Sequence, residues 1–274
     1  MQVKLSLDKL KGIPKTLLIP LRGRYLETKR PNGIVRDPKS VEILDSLDHD
    51  FGELDLPWDS QLLISVRTEI LDEAIGQFMA EHPDGVVVNL GCGLDTRLHR
   101  MDNGQVEWYE LDLPEAIEIR KQFFRENGRC KFIPKSVFDY SWMDEVPNDR
   151  PTLFIAEGLF CYFTEEQVRE VLFAIKNRFR QSEIMFEIFS PLMTRTWHRH
   201  PHLRGALSLF KWTLTEGRSM ESWDSGIQFM HQWNYFDRHP NRWRWMRCFR
   251  FIPPLRKIMK VVHLRFNSNG HMNN

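Results

Sequence analysis

Between Val86 and Arg97 the chain reads Val-Val-Val-Asn-Leu-Gly-Cys-Gly-Leu-Asp-Thr-Arg, and this stretch restricts the fold more than any other. Three valines, an asparagine and a leucine bounded by a glycine pair fit a strand buried on both faces. Gly91 and Gly93 can adopt backbone angles closed to other residues and let a ligand approach the main chain. The stretch therefore reads as the first strand and first loop of an α/β sheet that binds a nucleotide or cofactor. Taken alone, Gly-x-Gly is weak evidence and more often marks a structural turn.

The surrounding residues narrow the ligand. A dinucleotide fingerprint would place a third glycine at 96, where Thr96 stands, and no Gly-x-x-x-x-Gly-Lys-Ser/Thr segment supports a P-loop. Glu107 to Asp112 reads as a second strand ending in a carboxylate about 20 residues past the glycines, the offset from which an acidic side chain reaches both hydroxyls of a ribose. Asp112 also suits a helix N-cap ahead of Pro114, and the two roles are compatible. Lys131 to Val137 reads as a third strand, which Pro134 places at a sheet edge. Thr152 to Ala156 is the fourth and ends in Glu157-Gly158, so the Glu157 carboxylate points into the crevice where open α/β sheets bind ligands. Glu183 to Phe189 is the fifth.

Helices separate these strands. Ser65 reads as the cap of a helix from Val66 to Glu81, with Ile70, Leu71, Ala74, Ile75, Phe78 and Met79 as its apolar stripe and Arg67 in its first turn. A second helix is expected over Glu115 to Asn127, with Gly128 as C-cap. Thr164 caps a third, whose stripe is Val168, Val171, Leu172 and Ile175. Strand and helix alternating in this way give a parallel sheet with helices on both faces. Ahead of this core, residues 15–30 read as an amphipathic helix, Pro38 to Leu47 as a short one, and Asp48 to Pro57 as turns. After it, Ile227 to Phe236 and Lys260 to Phe266 read as late strands, with a helical, aromatic and arginine-rich piece from Arg242 to Phe251 between them.

Three motifs, Val-Val-Asn-Leu-Gly-Cys-Gly-Leu-Asp-Thr-Arg (87–97), Tyr-Glu-Leu-Asp-Leu-Pro (109–114) and Pro-Thr-Leu-Phe-Ile-Ala-Glu-Gly-Leu-Phe-Cys-Tyr-Phe (151–163), resemble the leucine carboxyl methyltransferase family. The likeness is greatest to its bacterial branch of tetracenomycin-type polyketide O-methyltransferases and spans roughly residues 14–190. It implies a Rossmann-like class I methyltransferase fold, with a mostly parallel seven-stranded sheet, helices on both faces, and S-adenosylmethionine as cofactor. By resemblance Arg67 pairs with the methionine carboxylate and Glu157 contacts the methionine portion. Gly91, Cys92 and Gly93 make room for it, Asp112 holds the ribose, and Ser136 and Val137 fall where the family contacts adenine. Many members carry Asp where Ser136 stands, so the departure at Ser136 puts that hydrogen bond to the adenine amino group in question and leaves a backbone contact from Val137. Asp139 matches a frequent acidic position and also suits a loop cap. Tyr162 is the candidate facing the acceptor.

The expected organisation is one domain over 1–266. It divides into an N-terminal extension (1–64), a cofactor-binding core (65–190) and a substrate-covering, lid-like insertion (191–258), ahead of a flexible tail (267–274). Four cysteines without a Cys-x-x-Cys pair indicate neither a zinc site nor a disulfide framework, and they fit a reducing cytoplasm. The net charge of +1 conceals an asymmetry, because residues 191–266 hold 14 Lys and Arg against 4 Asp and Glu, and six of the nine tryptophans lie between 197 and 245. That composition is best read as a cover over an apolar, anionic or aromatic small-molecule acceptor; it also suits nucleic acid, and a third use is an anionic membrane surface. His198, His200 and His202 alternate without acidic partners, weak grounds for a metal site. A small-molecule O-methyltransferase is the favoured reading. A carboxyl methyltransferase for protein C-termini and a cofactor-binding protein directed to nucleic acid stay open.

Overall fold

The computed structural model describes residues 5–6, 15–48, 56–196 and 209–267. Its seven-stranded sheet comprises β1 (Val86–Leu90), β2 (Glu107–Asp112), β3 (Cys130–Pro134), β4 (Thr152–Ala156), β5 (Gln181–Phe189), β6 (Ile227–Asn234) and β7 (Met259–Asn267). The order across the sheet is β3-β2-β1-β4-β5-β7-β6. The first five strands run parallel, while β7 is antiparallel to both β5 and β6. All five residues of β1 are buried, as its central place requires. Val87 packs into one apolar layer with Trp108, Leu153 and Val261, and Val86 and Val88 pack into the other with Tyr109, Phe154 and Val262. Successive side chains of a strand point to opposite faces, so the valine run serves both layers.

Helices cover both faces. On one lie α1 (Lys15–Thr28), α2 (Pro38–Ser46) and α3 (Trp58–Glu81); on the other lies α6 (Glu165–Arg178), its stripe of Val168, Val171, Leu172 and Ile175 fully buried. The Thr164 cap is a full capping box, with Gln167 returning the hydrogen bond. Two short helices, α4 (Arg97–Met101) and α5 (Pro114–Arg120), follow β1 and β2, and α7 (Pro191–Thr196) follows β5. No described helix is long and apolar enough to cross a membrane.

Several boundaries differ from the sequence reading. Helix α3 begins at Trp58, and Ser65 lies inside it, its hydroxyl donating to the Gln61 carbonyl at 2.8 Å. Leu62, Leu63 and Val66 are buried with Leu18 and Leu21 of α1, and Ile64 packs against Gly23 of the same helix, so tertiary burial carries the helix past a local cap signal. Arg67 is therefore a mid-helix residue. Helix α5 stops at Arg120 instead of Asn127. The Asn127 side chain accepts from the Arg129 and Cys130 N–H groups and bridges to Cys130, which turns the chain into β3 before Gly128 could cap anything. Strand β3 ends at Pro134, at the sheet edge, since proline offers no N–H to extend the ladder. Residues 242–251 fold as the end of a short 3-10 turn and an eight-residue 3-10 helix (Arg244–Phe251) instead of an α-helix. The 191–258 segment supplies the edge strand β6 as well as surface structure, and His198, His200 and His202 lie outside the described residues.

Candidate active site

The order of the sheet reverses between β1 and β4, and the carboxyl ends of these strands part to leave a crevice. A cavity of about 460 Å³ fills it, bounded by the glycine loop, the ends of β2, β4 and β5, and helices α1 and α3. The loop is held from beneath. The N–H groups of Gly91 and Cys92 donate to the Leu111 carbonyl at 2.8 and 3.1 Å. Both glycines have positive φ, 68° at Gly91 and 46° at Gly93. A Cβ would lie 2.9 Å from the Leu159 side chain at Gly91 and 2.7 Å from that of Leu17 at Gly93. The loop is thus sandwiched and must stay bare.

Asp112, at the end of β2, accepts from the Gly93 N–H at 2.7 Å and from the Leu113 N–H at 2.7 Å. Burial nevertheless keeps its pKa above the ordinary value. The Cys92 thiol is buried in the same wall, and burial raises it far above its usual range, so it is not a thiolate at neutral pH.

Glu157 sits among guanidiniums. It meets Arg67 at 2.7 Å and Arg97 at 2.6 Å, with Arg24 at 3.9 Å. Arg67 also pairs with Glu187 at 2.8 and 3.1 Å, while its Nε–H makes no hydrogen bond among the described residues. Arg97 is fully buried and is shared with Asp72 at 2.8 Å and with Asp95. Arg100 reaches Asp72 at 2.6 Å, and Arg24 reaches Asp37 at 2.8 Å. Arg120 lies under the glycine loop, donating to the Gly93 and Asp95 carbonyls at 3.0 and 2.9 Å and pairing with Glu110. Charges so far from water persist only when paired.

The protonation behaviour divides accordingly. Burial by itself raises the Glu157 carboxyl, but Arg67 and Arg97 outweigh it and bring the pKa to about 2. Glu187 stays above the ordinary range because burial outweighs its pairing with Arg67, and Glu110 does so because burial outweighs Arg120. The linkage signs follow. Glu157 contributes stability that is fully present above its unfolded value of 4.5 and is lost as pH falls towards 2. Glu187 and Glu110 carry the opposite sign, because burial raises them, so each gains stability as pH falls through its native value towards 4.5. Stability measured by urea unfolding should therefore drop as pH falls below about 4.5, as the Glu157 carboxylate takes up a proton. Stability unchanged between about pH 5 and pH 2 would refute this assignment.

Arg67, Gly91, Cys92, Gly93, Asp112, Glu157 and Tyr162 all line this one cavity. Ser136 and Val137 are not among its lining. The Ser136 hydroxyl accepts from the Phe138 N–H, and the Val137 carbonyl accepts from the Trp142 indole. Asp139 caps the 3-10 turn that follows, accepting from the Ser141 N–H. Burial lifts the Tyr162 phenol to about 12, so at neutral pH it keeps its proton and is a hydrogen-bond donor rather than a base.

The sequence reading missed Glu187, whose signal was a lone carboxylate inside the apolar run Ile184 to Phe189. It also missed the far wall, where Phe189, Met193, Phe210, Tyr235 and Met259 surround Tyr162. Phe210 packs edge-on against Tyr162, with ring centroids 5.9 Å apart. Chain 191–266 gives this lining only uncharged side chains, so among the described residues its basic surplus does not face the cavity. The charged lining consists of Asp95, Asp112, Glu157 and Glu187 against Arg24 and Arg67, a balance that favours a cation. No group of three or more described His, Cys, Asp or Glu side chains could hold a metal ion.

The model of the leucine carboxyl methyltransferase family matches residues 18–176. The chain is 35% identical over 230 residues to the tetracenomycin polyketide synthesis O-methyltransferase of Streptomyces glaucescens, covering 84% of this chain and 85% of that one. Its fold is similar to that of a DUF574 family protein from Streptomyces avermitilis, with a TM-score of 0.58 at 10% identity over 90% of this chain and 96% of that one. It is also similar to the magnesium protoporphyrin IX methyltransferase of Synechocystis with bound S-adenosylhomocysteine. There the TM-score is 0.50 at 10% identity, over 79% of this chain and 90% of that one.

Proposed function

Because the chain belongs to the leucine carboxyl methyltransferase family, we propose that it transfers a methyl group from S-adenosylmethionine to an oxygen, hydroxyl or carboxyl, of a small aromatic or otherwise apolar molecule. When bound, the cofactor supplies a methyl group already activated on a sulfonium. The protein's task is then to hold donor and acceptor in line and to exclude water.

The observation that carries this reading is the Arg67–Glu157 pair beside the bare glycine loop. An amino-acid head brings one carboxylate and one ammonium. Inserted at this pair, it leaves Arg67 facing an anion and Glu157 facing a cation, so no buried charge loses its complement. The free Nε–H of Arg67 gives such a carboxylate a donor already waiting. Asp112 offers its oxygens to a ribose, and the carboxylate surplus of the lining favours a sulfonium over a neutral thioether. Beyond Arg67 the wall turns aromatic, which suits a flat acceptor. Glu187 is placed to take a proton from a hydroxyl acceptor, whereas a carboxylate acceptor needs no base.

The test is incubation with methyl-labelled cofactor and a panel of aromatic hydroxy acids, with products identified by mass. Label released as methanol by alkali marks a carboxyl ester, and label retained marks an ether. Absence of S-adenosylhomocysteine binding to the folded wild type, by calorimetry, would sink the reading. Asp112→Ala should weaken that binding by about 1.5–3 kcal/mol, the worth of a hydrogen bond to a charged group. An unchanged affinity would move the ribose site elsewhere.

A further inference from the structure

The basic surplus that turns away from the cavity has a destination. Residues 238–266 contain no Asp or Glu. Most of their cations are answered by acids elsewhere: Arg238 by Glu73, Arg242 by Glu27, Arg256 by Asp237, Lys257 by Glu216 and Arg265 by Glu183. Arg244, Arg247 and Arg250 make no salt bridge among the described residues. They lie on one 3-10 helix, Arg244–Phe251. With three residues per turn, its side chains form rows. Met246 and Phe249 make the inner row, Met246 buried and Phe249 packed on Phe236 with ring centroids 5.1 Å apart. Arg247 and Arg250 make the second, while Arg244, at a φ of 50°, opens the helix and turns its guanidinium onto Trp58. Trp245, Cys248 and Phe251 make the third, which is exposed: Trp245 is 68% and Phe251 76% accessible, with Ile252 beside them at 44%.

We propose that this face docks on an anionic lipid bilayer. An amphipathic helix with arginines flanking exposed Trp and Phe is the composition of an interfacial anchor, its rings entering the headgroup boundary while its guanidiniums meet lipid phosphates. A second copy of the chain is a poor occupant, because a two-fold contact would set Arg247 and Arg250 against their own images, and the nearby Asp237 is already taken by Arg256. Ile252, Pro253 and Pro254 beside the rings offer aliphatic surface that suits acyl chains better than stacked bases. The face also adjoins the site. The Arg244 guanidinium lies 4.6 Å over the Trp58 ring, and Arg242 pairs at 2.9 Å with Glu27; these are residues of α3 and α1, the helices that wall the cavity. Docking here holds those helices near the membrane surface, where an apolar acceptor concentrates. The docking itself does not depend on the methyltransferase reading.

Co-sedimentation of the full chain with phosphatidylcholine vesicles, with and without phosphatidylglycerol, tests it. Binding is expected only with phosphatidylglycerol and should fall with salt. Each of Arg247→Ala and Arg250→Ala should weaken it about fivefold, and Trp245→Ala with Phe251→Ala by more than about tenfold. All four residues are at least partly exposed, and circular dichroism checks that the variants fold. Three results would each overturn the proposal. One is no binding to the anionic vesicles at low salt or unchanged binding by the variants. Another is a wild-type dimer that Trp245→Ala with Phe251→Ala makes monomeric. The third is RNA displacing the vesicles from this face.

Discussion

Glu157→Gln should cost about 3–5 kcal/mol of folding stability, the range measured when one partner of a buried ion pair is removed, and lower the melting temperature by roughly 10 °C. The amide keeps the shape and can still accept a hydrogen bond, but it carries no charge. Arg67 and Arg97, at 2.7 and 2.6 Å, lose their shared counter-ion, and Arg97 is fully buried. Neither can shed its proton in compensation, because guanidinium stays charged in proteins. Thermal and urea unfolding read the loss, and a change below about 1 kcal/mol would mean that Asp95, Asp72 and Glu187 suffice for the two arginines. Adding Arg67→Met to Glu157→Gln should recover part of the deficit, since it removes one of the stranded charges and so exposes the coupling.

Arg67→Met should weaken S-adenosylhomocysteine binding by about 2–5 kcal/mol, as truncating one side of a buried charged contact does. The variant also strands Glu157 and Glu187, so a second ligand is needed to separate lost recognition from general damage. 5′-Methylthioadenosine keeps the nucleoside and the sulfur but lacks the amino-acid head. It should bind wild type and Arg67→Met within about a factor of three, a difference of less than 1 kcal/mol. If both ligands lose affinity equally, Arg67 shapes the cavity and does not read the carboxylate. Arg67→Lys should fall between, because a lysine restores charge but not the two-pronged donor.

Much of this fold could be read from local pattern. Strands β1, β2 and β4 are short apolar runs ended by Gly, Asp and Glu, and each signal lies within a few residues of chain. The capping box at Thr164 is equally local. The readable half of the site, Gly91, Gly93, Asp112 and Glu157, stands at strand ends, where position along the chain dictates position in the crevice. What escaped is long-range. Ser65 carries a cap signal that loses to the burial of Leu62, Leu63 and Ile64 under a helix some forty residues earlier in the chain. The Arg67–Glu187 pair joins residues 120 apart in sequence, and Arg97–Glu157 joins residues 60 apart. No spacing rule reaches that far. The basic surplus of 191–266 was legible as a quantity, but its outward direction depends on which side chains the sheet turns in.

The two ends of the cavity differ in how freely they can change over generations. At the donor end the side chains that would hold the cofactor also hold the fold together, so a substitution there removes abundance along with activity and is purged before a new chemistry can be sampled. At the acceptor end Met193, Phe210 and Met259 are uncharged, and a swap that conserves volume there typically costs under about 1.5 kcal/mol. Lineages built on this scaffold are therefore expected to keep one methyl donor while their acceptors diverge. A laboratory search for new substrates should randomise those three positions and leave Arg67, Arg97 and Glu157 alone.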